Sequence, residues 1–252
     1  MFRNAAFTVL FAGLSATMAP AQPAVELEGR YWIPQMGSRL RVEQNGVGTD
    51  IDTKKDLGIP DTNFPEGSVA LQYGRSTLRF SYTPIDYSGD HFVSRTLLFH
   101  GQPFTVGTQV LSNLEVQHLQ LSWTYQFIHV RELFKVGPLI AADGFLMNGR
   151  LRAPGLSPPT DEKEDLSVGL PTVGLAMDIN PHHMVNIHGE VSGLRVGDYG
   201  YFVGSEAGVK FRPVKYLFFA AGYRTFNLHA ENSPDFARLQ LHGPFVGAGF
   251  RF

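Results

Sequence analysis

The sequence predicts an all-β chain closed into a transmembrane antiparallel β-barrel of about ten strands, with eight or twelve as the nearest alternatives. Three observations predict it. Apolar and polar residues alternate through stretch after stretch, the breaks between stretches are short and long by turns, and helical periodicity is missing beyond the N-terminal segment. Alternation is the period of a strand with one greasy and one polar side. Short turns at one end and longer loops at the other are the pattern of a membrane-spanning barrel.

The N-terminal segment, MFRNAAFTVLFAGLSATMAPAQ, stands apart. One early cation (Arg3), an apolar run over residues 5–14 and small residues at Ala19 and Ala21 form the layout of a secretory signal peptide cleaved after Ala21. The run is too short to span a bilayer. Residues 1–21 are therefore expected to be a signal peptide and residues 22–252 a single barrel domain.

Strands are expected near 25–42, 67–75, 77–90, 111–127, 133–152, 165–180, 183–196, 200–212, 214–229 and 236–252. The clearest, VQHLQLSWTYQF, sets Leu119, Leu121, Trp123, Tyr125 and Phe127 against His118, Gln120, Ser122, Thr124 and Gln126. TLRFSYTP likewise sets Leu78, Phe80 and Tyr82 against Arg79, Ser81 and Thr83. Tight breaks fall around Arg75, Val130, Pro181 and Pro213; long polar ones cover 44–66, 91–111 and 153–165. The stretch 91–111 reads either as a hairpin standing above the membrane or as an extra strand pair. Aromatics near strand ends, Tyr31, Trp32, Tyr82, Tyr87, Trp123, Tyr125, Phe127, Tyr216, Phe218 and Phe219, suit the girdles of a membrane barrel. A secreted soluble barrel would instead put the apolar face inside, and alternation alone leaves that choice open.

Composition removes several classes of function. Lys+Arg 21 against Asp+Glu 23 gives no basic footprint for nucleic acid. The absence of cysteine removes disulfides, thiol catalysis and thiolate metal sites.

If the greasy face meets lipid, the polar face is the lumen. Strand parity then sends inward a charge network of Glu26, Glu28, Arg30, Arg79, Asp143, Asp178, His188, Glu190, Glu206, Lys210, Arg224 and Arg251, with Gln72, Ser81, His118, Gln120 and Ser192 beside them. Charges of both signs in so narrow a space should pair, because an isolated buried charge is very costly. The network reads as a plug, or as a solute path constricted at Glu190, Glu206 and Arg224.

His188, Glu190 and Ser192 share a strand face, the residue types of a hydrolase. His188 and Ser192 would nevertheless lie roughly 13 Å apart along the strand, which makes them weak catalytic candidates. Asp86, Asp90 and His91 sit where a rim protease would want acids and a His, although loop acids are usually solvated. Asp50, Asp52 and Asp56 supply oxygen atoms of the kind Ca²⁺ takes, without the glycine and closing Glu of the loop motif. The His182–His183 pair falls in a tight turn. No metal and no cofactor is expected from these signals.

The closing stretch GPFVGAGFRF puts Val246, Ala248, Phe250 and Phe252 on one face. It resembles the C-terminal strand of Gram-negative outer-membrane β-barrel proteins, in which a terminal Phe preceded by apolar residues at alternate positions is read by the barrel-assembly machinery. The tracts GRYWIP, DIDTKKDLGIP and RFSYTPID look like the opening of small outer-membrane proteins of unassigned role. The resemblance implies export to the outer membrane through a cleaved signal peptide, with outer-membrane lipid and the assembly machinery as partners. It implies Phe252 and Phe250 as the assembly signal. The function expected is non-enzymatic, a narrow pore or a structural or surface-interaction protein with a charge-filled lumen. The alternative is an outer-membrane hydrolase that modifies lipid A or phospholipid.

Overall fold

The computed structural model describes residues 23–252 apart from 42–48, 93, 95, 100–101, 132, 156–159, 198–199 and 233–234. The expected signal peptide lies outside the described residues. The elements in chain order are β1 (Ala24–Trp32), β2 (Gln35–Arg41), β3 (Ile51–Asp52), α1 (Thr53–Leu57), β4 (Phe64–Tyr73), β5 (Ser76–Phe92), β6 (Leu97–Phe99) and β7 (Gln102–Phe104). There follow β8 (Gln109–Tyr125), β9 (Ile128–Val130), β10 (Phe134–Ala153), β11 (Thr160–His182), β12 (Val185–Val196), β13 (Gly200–Phe211), β14 (Leu217–Asn232) and β15 (Asp235–Arg251).

Each strand pairs antiparallel with the next around the ring β1, β4, β5, β8, β10 to β15, and β15 returns to β1 with Leu27 opposite Phe250 and Trp32 opposite Phe245. The barrel is therefore closed, with ten staves. Backbone bonds between Val25 and Phe252 in both directions finish the seam (2.9 and 3.1 Å). Among the described residues of 91–111 there is no further stave: β6 and β7 pair antiparallel with each other, as a small two-stranded sheet off the barrel.

The first stave is broken where the sequence reads IPQ. Pro34 has no N–H to give to a ladder, and β2 resumes pairing with β15 beyond it. The break brings the chain so close to Gly243 that a Cβ there would lie 2.1 Å from the Ile33 carbonyl oxygen. Only glycine fits that approach. Trp32 Nε1 closes the gap by donating to the Gly243 carbonyl at 3.2 Å.

Which face meets lipid follows from burial. Leu71, Val173, Leu175, Ile140, Val246 and Phe250 are about half exposed or more, while Glu28, Arg30, Glu206 and Lys210 are each under a tenth exposed. An apolar surface running round the whole girth is far beyond what a soluble monomer shows. The charged side is inside.

Higher up the staves the arrangement inverts. Asp86, Glu115, Arg150, Arg152, Lys163 and Arg238 face outward, and Ile85, Tyr87, Val116, Phe202 and Leu241 face inward. The change falls between Tyr82 and Asp86 on β5, between Leu119 and Gln117 on β8, and between Pro244 and His242 on β15. That level is the outer edge of the apolar belt, and the barrel continues above it with a core like that of a soluble protein. Trp32, Tyr87 and Phe218, expected in the girdle, belong inside at 2%, 1% and 0% exposure. Tyr31, Tyr82, Trp123, Phe127, Tyr216 and Phe219 do face outward.

Candidate functional site

The barrel interior is stacked in levels. At the short-turn end lies an open vestibule of about 310 Å³. Glu26 of β1 is its centre of charge: Lys210 Nζ approaches at 3.0 Å, Arg251 Nη1 at 3.1 Å and Arg212 Nη2 at 3.8 Å. Asn186 Nδ2 donates to Asp178 on the same wall at 3.1 Å.

Above the vestibule the lumen is crossed by ion pairs. Arg30 Nε donates to Glu28 at 2.7 Å and Nη1 to Glu206 at 2.7 Å, with Glu66 at 3.6 Å from the same nitrogen. Arg224 Nη1 pairs with Glu66, which also accepts from Thr83 Oγ1 at 3.2 Å. Lys210 reaches up to Glu28 at 3.0 Å, and Arg79 Nη1 meets Glu190 at 3.1 Å. The cations also lie over aromatic rings: Arg30 over Phe245, Lys210 over Phe218 and Arg224 over Trp32, at 4.6, 4.7 and 5.3 Å. Arg spans several carboxylates because its donors are fixed in a planar fork.

Next comes Asp143, 1% exposed. Its oxygens meet His118 Nε2 at 3.0 Å, Gln120 Nε2 at 2.8 Å and Thr172 Oγ1 at 2.9 Å. A buried carboxylate with every partner supplied is a structural tie. The His118 ring stacks on Phe145 (centroids 4.7 Å apart, planes 7° apart) and so joins the charged level to the aromatic one. There Phe145, Phe202 and Phe226 meet edge to face with centroids 4.9–5.9 Å apart. Trp32, Phe64 and Tyr87 fill the other side. Over the top folds the first loop, whose Ile51 and Ile59 join this core.

Parity placed every member of the expected charge network inside. The structure brings Glu28, Arg30, Glu206, Lys210 and Arg224 into one network, with Glu190 and Arg79 paired beside it. Asp143 belongs to a separate level, and Glu26, Arg251 and Asp178 to the vestibule. Glu66, which serves both Arg30 and Arg224, falls in the stretch 44–66 expected as a loop; the signal for a strand there is the alternation over PEGSVALQY, with Glu66, Ser68 and Ala70 on one side.

The weaker candidates separate. His188 Nε2 contacts Glu206 Oε1 at 3.3 Å rather than Ser192, and both residues lie beneath the aromatic level. Asp86 and Asp90 are exposed, and Asp90 accepts from Gln109 at 2.8 Å. Asp52 is a helix cap, accepting from Lys54 N and Lys55 N at 3.1 Å, while Asp56 accepts from Asp52 N at 2.8 Å. These acids are engaged with the backbone of α1. His182 and His183 are exposed in their turn. Among the described residues no acid and His cluster suits a metal ion.

Solved structures with this architecture exist. The outer membrane protease OmpT from Escherichia coli superposes with a TM-score of 0.55 at 8% identity, covering 94% of this chain and 98% of its own. The chain has the fold of an outer-membrane β-barrel. The translocator domain of the autotransporter NalP from Neisseria meningitidis is also similar, with a TM-score of 0.49, 13% identity and coverage of 90% and 88%. No family model matches the sequence of this barrel, and no curated protein does.

Proposed function

We propose that this protein is an integral outer-membrane barrel with a sealed lumen, serving as a structural or surface-interaction element rather than as a pore. The observation that carries the reading is the stack of a charged level beneath an aromatic level, each crossing the interior. Ions would have to break pairs such as Arg30–Glu206 and then part rings in van der Waals contact. On the outer side, what solutes and partners meet is the surface above the apolar belt, with Arg150, Arg152, Lys163 and Arg238 exposed.

Location in the outer membrane of a Gram-negative cell is supported by the apolar belt, which calls for lipid around it. Export through the N-terminal signal belongs to the same proposal. So does recognition of β15 by the assembly machinery, with Phe250 and Phe252 presented on the lipid side. A lipid hydrolase has less support, since His188 and Ser192 face the barrel interior and not the bilayer, His188 beside the vestibule and Ser192 beneath the aromatic level. The test is single-channel recording of the refolded protein in a planar bilayer, with folding verified by gel mobility before and after boiling. A silent bilayer is expected. Discrete, salt-dependent steps from verified folded protein would sink the sealed reading.

A further inference from the structure

The interior charges are sorted by height. The sealed level holds four glutamates (Glu28, Glu66, Glu190 and Glu206) against three arginines (Arg30, Arg79 and Arg224). The vestibule below it is lined by four further cations, Lys135, Lys210, Arg212 and Arg251, against two carboxylates, Glu26 and Asp178. The surplus of positive charge therefore faces the end that is open to solvent. Lys210 also bonds Glu28 at 3.0 Å and so balances the fourth glutamate of the sealed level, which leaves Lys135, Arg212 and Arg251 against Glu26 and Asp178, a surplus of one cation.

Three residues that line this space, Arg212, Gln126 and His188, each carry a buried polar atom with no partner. Arg212 Nε is buried without a hydrogen-bond partner, and so is Oε1 of Gln126, a residue 6% exposed that lines the same cavity. A buried donor left unpaired beside like charges is costly, and a cavity walled by low-dielectric protein focuses the field of its charges. The space is also large enough for a small solute with some of its water, at about 310 Å³.

We propose that the vestibule is a binding site for a small oxyanion of the phosphate class, taken from the periplasmic side. Arg212 and Arg251 are its main donors, with Lys210 as a point charge behind them. The negative charge of the ligand answers the surplus cation of the vestibule. The guanidinium fork suits tetrahedral oxyanions with two oxygens in reach. The site lies inside the barrel wall, so a headgroup anchored in the surrounding bilayer does not reach it, and the ligand is a free solute. The inference stands apart from what the outer surface does.

The experiment is calorimetric titration of inorganic phosphate into the refolded protein in a phosphate-free detergent, with ionic strength held by sodium chloride. One saturable site is expected, weakened roughly tenfold in Arg212→Gln, the loss of one charge-assisted hydrogen bond, and similarly in Arg251→Gln. Arg212 is the safer variant, since its ion pair at 3.8 Å is the loosest of those on Glu26. Arg212→Lys should recover part of the affinity, and Arg39→Gln at the outer rim should leave it unchanged. Unboiled gel mobility identifies any variant that has failed to fold. Phosphate heats no larger than those of chloride, or affinity unchanged in both glutamine variants, would overturn the proposal.

Discussion

Arg30 shows how far a single side chain can be read from sequence. Alternation in VELEGRYW sends Glu26, Glu28, Arg30 and Trp32 to one side, and all four are inside. Parity does not say what fills the lumen at a given height, so the sequence suits Trp32 to the girdle, whereas it packs under Arg224. Arg30 is 7% exposed and holds three glutamates. Removing one partner of a buried pair strands the others, at a cost of about 3–5 kcal/mol. Arg30→Met is expected to lower folding stability by that amount in urea titrations of the refolded barrel. Arg150→Met is the contrast. Its bidentate pair with Asp161, at 2.6 and 2.8 Å, lies in solvent, where attraction is screened, and the urea midpoint should not move.

At the level of elements, the staves were legible because period 2 is maintained wherever one face is lipid and the other polar. The first loop was not. Its helix α1 is five residues long, too short for any amphipathic period to appear. It is set instead by local chemistry: Asp52 caps the first N–H groups, and Gly58 ends the turn at φ +63. The oxygens of Asp52 and Asp56 are engaged with N–H groups at the start of that helix.

The loop is tied to the barrel by the Met36 N–H of β2 donating to Asp61, which also accepts from Lys54 Nζ within the loop. Burial opposes the charge on Asp61, but these donors outweigh it and hold its carboxyl below the ordinary value. A lowered pKa means a tie that is intact above the free aspartate value of about 3.9 and is given up as pH falls further. Loss of an N-cap costs about 1 kcal/mol, or roughly fivefold in the open fraction of the loop. Asp52→Ala is therefore expected to be cut by trypsin at Lys54 and Lys55 roughly fivefold faster than the parent, while the parent resists equally at pH 5 and pH 8. Equal cutting of the two proteins would show that α1 does not hold the loop down.

Across the whole molecule the two sealing levels act in series, because the charged one lies in the apolar belt and the aromatic one at its outer edge. Their different physics gives them different weaknesses. The charged level is held by pairs that exclude one another's replacement by water only while complete. The aromatic level is held by area, each ring contributing about 1.5–3 kcal/mol of burial. Either one alone should block ions. Phe202→Ala with Phe226→Ala opens the upper level and leaves Arg30, Glu206, Glu66 and Arg224 crossing the lumen, so its bilayers should stay silent. Adding Arg30→Ser and Glu206→Ser takes away one acid and one base together, leaves no single charge stranded between them, and joins the vestibule to the outer mouth. That fourfold variant is expected to conduct in steps that grow with salt, provided its unboiled form still migrates as folded. If the aromatic pair alone conducts, the charged level is a permeable filter, and selectivity should then follow Glu190, Glu206 and Arg224.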